Sequence, residues 1–134
     1  MARDDDGMMW LFFTKKARFD LAAASSALEK LAFQTAKKRG KLPIVTATKN
    51  GIEFRLRLMD DGDVAELRAM AGKSAPEHRA KLRSCDAGIE ILFDERNKVL
   101  DEINSLIEIQ VGLRDASGGW LYLGWNCVLQ PPEL

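Results

Sequence analysis

A stretch near the carboxyl end, residues 94–128, limits the possible folds more than any other part of the chain. Asp94 is a favourable helix N-cap, and the segment 95–115 places its apolar residues on one broad side at about 100° per residue. A Ser-Gly-Gly sequence then interrupts the pattern, and residues 120–128 are apolar on both faces. A strand of that kind belongs inside a covered sheet. The sequence therefore predicts a helix over 95–115 followed by a central strand.

The second half of this helical segment also fits a strand, because the apolar residues of 107–113 alternate with period two. The helical pattern accounts for the whole segment, whereas the strand pattern accounts only for its second half. The helix is therefore the preferred interpretation. Its weak point is Gly112, since glycine costs up to about 1 kcal/mol relative to alanine inside a helix.

Two further strong signals lie in the first half of the chain. Residues 8–14 are apolar on both faces, which predicts a second central strand. Residues 43–48 and 52–58 flank Lys-Asn-Gly, and Asn-Gly favours a tight hairpin because both residues adopt positive φ. The second hairpin strand alternates, with Arg55 and Arg57 on its polar face, so one of its faces is expected in water.

Most of the remaining segments are predicted to be helical. A helix is predicted over 20–39, because an aspartate begins it and a glycine follows it. Ser74 and Glu77 have the spacing of a capping box, which predicts the start of another helix. The other predicted elements are short: helices over 64–70 and 74–82, and a strand over 89–93.

The predicted order of elements is β-α-β-β-α-α-β-α-β. Its first part matches the split βαβ, ferredoxin-like pattern, with the last helix and strand as a carboxyl-terminal extension. An α+β fold is expected, in which an antiparallel or mixed sheet of about five strands carries helices on one face. The length of 134 residues predicts one domain over 1–134, with 1–7 frayed and 130–134 an irregular tail.

The cysteines and the hydropathy of the first residues indicate the cellular compartment in which the protein is expected. Cys85 and Cys127 are far apart and lack redox-motif spacing, which favours free thiols in a reducing cytoplasm. The apolar run 8–13 is too short to span a bilayer, and acidic residues precede it where a signal peptide would be basic. A soluble, cytoplasmic protein without membrane association is therefore expected.

Candidate catalytic and metal-binding residues are few. His78 and Cys85 would form a catalytic pair only if the fold brought them together with an orienting acid. Asp60 and Asp61 lie in an acidic turn, yet neither starts a calcium-binding loop, which requires a glutamate at its twelfth position. Zinc-ligand spacing and glycine-rich phosphate loops are also absent from the sequence. We therefore expect no catalytic residues, no metal and no cofactor.

Charge is distributed unevenly along a chain whose formal net charge is zero. Residues 37–83 contain twelve basic and six acidic side chains, a net charge of +6. Residues 84–134 contain three basic and nine acidic side chains, a net charge of −6. This pattern suggests a polarised molecule that binds a charged partner or a second copy of itself. The alternative is that the two segments interleave in space and neutralise each other.

Four residues are the candidates for partner binding. Arg55 and Arg57 share the wet face of the hairpin strand, and Trp120 and Tyr122 share one face of the last strand. Tryptophan, tyrosine and arginine are common anchors of protein interfaces, although core packing alone also explains the two aromatic residues. Nucleic acid is not the expected partner, because RNA-binding sheets place aromatic residues on the face that carries the arginines here.

These observations lead to two functional hypotheses. The first is a small, non-enzymatic module that binds another protein or itself, and so modulates or neutralises its partner. The second is a small enzyme or ligand-binding domain with a site between sheet and helices, around Asp60, Asp61, His78 and Cys85. The first is preferred because a set of catalytic residues is missing and charge is polarised.

Overall fold

The computed structural model describes residues 7–132, which form a seven-stranded antiparallel sheet with helices on both faces. The strands are β1 (Gly7–Phe13), β2 (Gln34–Lys38), β3 (Ile44–Lys49), β4 (Ile52–Leu58), β5 (Ala87–Phe93), β6 (Trp120–Leu123) and β7 (Val128–Gln130). The helices are α1 (Leu21–Lys30), α2 (Asp61–Ser74), α3 (Arg79–Leu82), α4 (Arg96–Asp101) and α5 (Ile103–Ser117). The order across the sheet is β2-β3-β4-β5-β1-β6-β7.

The larger core lies between α1, α4 and α5 and the first face of the sheet. Met9, Leu11 and Phe13 of β1 point into it, because alternate residues of a strand share a face. Phe54 of β4 and Phe93 of β5 meet there edge to face, with ring centroids 5.5 Å apart. Residues of β3 to β6 extend this core beneath the helices, so the first face is covered along most of its width.

A smaller core lies on the second face, beneath α2 and α3. Trp10 and Phe12 of β1 and Trp120 and Tyr122 of β6 pack there against apolar residues of the two helices. Within the described chain, this cluster draws no residue from β2, β3 or β4. The second face is therefore covered over β1 and β6 but open to solvent over β2 to β4. We call this open part the uncovered sheet face: Gln34, Ala36, Lys38, Ile44, Thr46, Thr48, Glu53, Arg55 and Arg57.

The architecture confirms an α+β fold and differs from the expected topology in three ways. The sheet has seven strands where about five were predicted, and helices lie on both of its faces where one was predicted. All strand pairs of the described residues are antiparallel, so the parallel pair of a split βαβ unit does not form. The ferredoxin-like pattern is therefore not confirmed.

The first helix is much shorter than the predicted 20–39. Asp20 does cap it, accepting a hydrogen bond from the Ala23 backbone N–H at 2.8 Å. The helix ends at Lys30, and Ala32 adopts a φ of 69° in the left-handed region. The following residues form β2, which pairs with β3. Pairing with an existing strand outweighs the weak helical preference of this segment.

The carboxyl-terminal elements follow the prediction in part. Residues 107–113 are helical, so the preferred interpretation over the strand is confirmed. The predicted helix 95–115 is nevertheless divided between α4 and α5 at Glu102, and Asp94 does not cap it. The predicted strand 120–128 is also divided, because residues 124–127 form the turn between β6 and β7.

The hairpin prediction is confirmed. β3 and β4 pair directly, and Asn50 and Gly51 have φ values of 55° and 78°. Both values lie in the left-handed region that this turn requires. The capping box at Ser74 is wrong, because α2 continues through that residue and the next turn begins at Ala75 without a side-chain cap.

The two ends of the chain differ in part from the predicted frayed start and irregular tail. The predicted frayed start, 1–7, lies outside the described residues except for Gly7, which begins β1. Of the predicted tail, Gln130 ends β7, residues 131–132 are irregular, and 133–134 lie outside the described residues. None of the helices described is long and apolar enough to cross a membrane.

Candidate functional site

The uncovered sheet face is organised in rows that run across the strands. In one row, Lys38 of β2 pairs with Ile44 of β3. Ile44, Arg57 and Leu92 line one shallow depression of about 40 Å³, so they are neighbours on this face. In the next row, Thr46 pairs with Arg55. Both candidate arginines therefore lie where no helix covers the strands.

Arg57 is held in place by a buried carboxylate. Its Nη2 lies 2.9 Å from Oε1 of Glu90, which is the residue opposite it on β5. Glu90 also accepts a hydrogen bond from the Trp10 indole N–H at 3.1 Å, and its side chain is only 9% exposed. The chain Arg57–Glu90–Trp10 thus links the uncovered sheet face to the smaller core. A guanidinium has five N–H donors, so this ion pair does not exhaust the hydrogen-bonding capacity of Arg57.

Arg55 is more fully neutralised within the protein. Its two terminal nitrogens donate to the two carboxylate oxygens of Asp94 at 3.1 Å and 2.9 Å. Glu53 lies 3.8 Å from the same guanidinium. A bidentate pair of this kind fixes the orientation of the arginine. Asp94, predicted as a helix cap, therefore acts as the partner of Arg55.

The end of the sheet where β2 joins β3 is strongly basic. Lys37, Lys38, Arg39 and Lys41 follow one another there, all exposed. In residues 7–132 none of the four forms a salt bridge. We call these four residues the basic end. Three of them, Lys37, Lys38 and Arg39, border a groove of about 290 Å³, which Leu21 and Pro43 also line.

The two segments of opposite charge meet in space. Lys49 pairs with Glu108, Arg55 with Asp94, and Arg57 with Glu90. Each pair joins a residue of 37–83 to one of 84–134. These contacts neutralise part of the basic segment, but none of the salt bridges in the described chain involves the basic end.

Trp120 and Tyr122 lie in the smaller core, 7% and 1% exposed. The Tyr122 ring stacks on Trp10 with centroids 5.9 Å apart, and its hydroxyl is 2.9 Å from the Ser74 hydroxyl. Burial raises the pKa of the Tyr122 hydroxyl. The Trp120 ring packs on the imidazole of His78, 4.8 Å between centroids. A partner reaches these rings only if α2 or α3 moves.

The four residues of the enzyme hypothesis have separate roles in the fold. Asp60 caps α2 by accepting from the Asp63 backbone N–H at 2.7 Å, and Asp61 lies 3.5 Å from Lys15. His78 packs on the aromatic ring described above. Burial raises the pKa of the Cys85 thiol, which disfavours the nucleophilic thiolate. Within 7–132, no group of three or more metal-ligating side chains occurs.

The sequence reasoning did not identify the basic end as a candidate site. The run Lys-Lys-Arg at 37–39 was interpreted as the positively charged last turn of a helix. Its position on an edge strand became apparent only with β2. Comparison of the chain with protein-family models, curated proteins and solved structures found no match.

Proposed function

We propose that this protein is a small, non-enzymatic binding module whose partner is an acidic segment of another protein. The docking surface consists of the basic end and the adjoining row of the uncovered sheet face, with Arg57 as its central anchor. Through this contact the protein modulates or neutralises its partner. The observation that carries the proposal is a run of four exposed cations, which form no salt bridge with residues 7–132, beside the uncovered sheet face.

The electrostatics of the surface favour an acidic partner. The salt bridges of the described chain neutralise Arg55, whereas none involves the basic end. Complementary charge accelerates encounter and excludes partners of the same sign. Attraction of this kind weakens with salt, because the Debye length is about 10 Å at 0.1 M ionic strength.

Arg57 and its surroundings supply a pre-organised anchor. The ion pair with Glu90 holds the guanidinium, so little side-chain freedom remains to be lost on binding. Its remaining N–H donors match a carboxylate, which arginine binds in a fork-like geometry. Ile44 and Leu92 beside it add apolar contact, and arginine flanked by apolar residues is typical of interface centres.

The proposal is tested by comparing what three forms of the protein retain from an extract of the host cell. The first is the wild type, and the second is the charge reversal Lys37→Glu, Lys38→Glu and Arg39→Glu. The third is a control with the same change in charge, Lys30→Glu, Lys81→Glu and Lys98→Glu, at exposed positions that do not line the groove of the basic end. Reversals at exposed positions should leave the fold intact, which circular dichroism checks.

The expected result is an acidic protein that the wild type and the control retain and that the triple reversal loses by at least about tenfold. Retention should also fall at about 0.5 M salt. The proposal is wrong if all three forms retain the same proteins. A second copy of this chain as the retained species would show self-association and would replace the proposed partner.

A further inference from the structure

A second basic site lies between α2 and α3, on the far side of the smaller core. The two helices flank an open groove of about 320 Å³. Four cations line it, Arg68 and Lys73 from α2 and Arg79 and Arg83 from the α3 region. None of the four forms a salt bridge within the described part of the chain. Four positive charges therefore converge on one concavity.

Small residues of α2 create the space. Ala65, Ala69 and Lys73 follow one another at intervals of four residues, so they lie along one side of the helix. Ala65 and Ala69 both line the groove, and Leu82 of α3 contributes a buried apolar surface. The groove thus combines cations with an apolar wall. Pockets for small ligands begin at volumes of about 300 Å³ and are mostly apolar, so the four cations here point to a strongly anionic ligand.

Two of the arginines are positioned by contacts within the protein. Arg68 donates through Nη1 to the backbone carbonyl of Cys85 at 2.6 Å and to that of Arg83 at 3.3 Å. The stem of Arg79 lies against Gly72, where an added Cβ would come within 3.4 Å of the arginine Cγ. Glycine inside a helix weakens it relative to alanine. The stem of Arg79 packs over the backbone of α2 at this position, with room for ordinary contact only.

We infer that this groove binds a small ligand that carries linked phosphate groups, such as inorganic pyrophosphate or a nucleoside triphosphate. Arginine forms bidentate hydrogen bonds with phosphate oxygens, and lysine adds a point charge. Four cations match the charge of two or three linked phosphates. The alanines and Leu82 suit an uncharged group attached to them. This site is separate in the fold from the basic end, so the inference goes beyond the proposed function.

The volume of the groove favours a small molecule over an extended polyanion. A protein segment or a nucleic-acid strand binds along a track of charges, whereas these four residues line one short groove of about 320 Å³. The inference therefore requires saturable binding of one ligand per chain, not gradual accumulation along a surface.

The inference is tested by isothermal titration of the full chain with pyrophosphate, ATP and orthophosphate, without magnesium and at about 50 mM salt. Pyrophosphate and ATP should each bind one to one, at least about tenfold more tightly than orthophosphate, because each gains charge-assisted hydrogen bonds. Tighter binding of ATP than of pyrophosphate would identify a nucleotide as the ligand. Equal binding would identify the linked phosphates alone.

Two double variants locate the binding. Arg79→Gln with Arg83→Gln should weaken pyrophosphate binding by at least about tenfold. The matched control Lys37→Gln with Arg39→Gln removes the same charge from the basic end and should change the affinity by less than about twofold.

Two results would overturn the inference. One is the absence of saturable binding of pyrophosphate and ATP to the wild type. The other is equal weakening by the arginine pair and by the control pair, which would show attraction by overall charge. Arg79 and Arg83 are exposed, so their replacement should not prevent folding; Lys73→Gln provides an independent exposed variant of the same groove.

Discussion

Replacing Glu90 tests how the uncovered sheet face is built. In Glu90→Ala, the buried indole N–H of Trp10 loses its acceptor, which costs about 1 to 3 kcal/mol. Arg57 loses its ion pair, which contributes at most about 1 kcal/mol because that side chain is 37% exposed. We therefore expect the free energy of unfolding to fall by about 1 to 4 kcal/mol.

Glu90→Gln is the matched control. Its amide oxygen still accepts from the indole, while the charge facing Arg57 is removed, so the expected loss is only about 1 kcal/mol. Urea unfolding followed by tryptophan fluorescence measures both variants, and Trp10→Phe completes a double-mutant cycle with Glu90→Ala. A coupling energy below about 0.5 kcal/mol, or equal losses in the alanine and glutamine variants, would refute the role assigned to the indole hydrogen bond.

Three further predictions follow from other parts of the fold. In Gly119→Ala, the new Cβ would lie 2.4 Å from the Phe12 carbonyl oxygen, so urea unfolding should show a loss of about 2 to 3 kcal/mol. Burial raises the pKa of Cys85, so its thiolate is scarce until the pH exceeds the ordinary thiol range. Alkylation at about pH 8, followed by mass spectrometry, should therefore modify the exposed Cys127 first, and equal rates would contradict this assignment. Tyr122→Phe removes a hydrogen bond to a serine of α2 and should cost about 1 kcal/mol in thermal or urea unfolding.

Local signals in the sequence were sufficient for some elements. The Asn50–Gly51 turn was predictable because positive φ at two successive residues strongly favours these residue types. β1 was predictable because an uninterrupted apolar run must be buried on both faces. In both cases the structure follows from the chemistry of adjacent residues.

Other elements depend on contacts that the sequence does not reveal. β2 contains Ala and Lys in a helix-like pattern and becomes a strand only because β3 offers it a partner. Ala32 and Cys127 both adopt positive φ, which is uncommon for residues of these types, so no glycine marks the positive-φ position at the end of α1 or directly before β7.

The sequence also predicted the candidate sites only in part. The alternation of residues 52–58 correctly predicted that Arg55 and Arg57 share the polar face of β4. It could not indicate that Asp94 and Glu90 would neutralise them, because those carboxylates are distant in sequence. The basic end and the α2–α3 groove likewise required knowledge of the sheet order and the helix packing.

Site-specific photo-crosslinking in the host cell tests the proposed docking surface most directly. A benzophenone amino acid would replace Lys38 in the basic end and, as a control, Asn104 on the exposed side of α5. The account predicts a discrete adduct with an acidic protein from position 38, none of that mass from position 104, and loss of the adduct when Lys37 and Arg39 are reversed to glutamate. No adduct from position 38, or the same adducts from both positions, would contradict it.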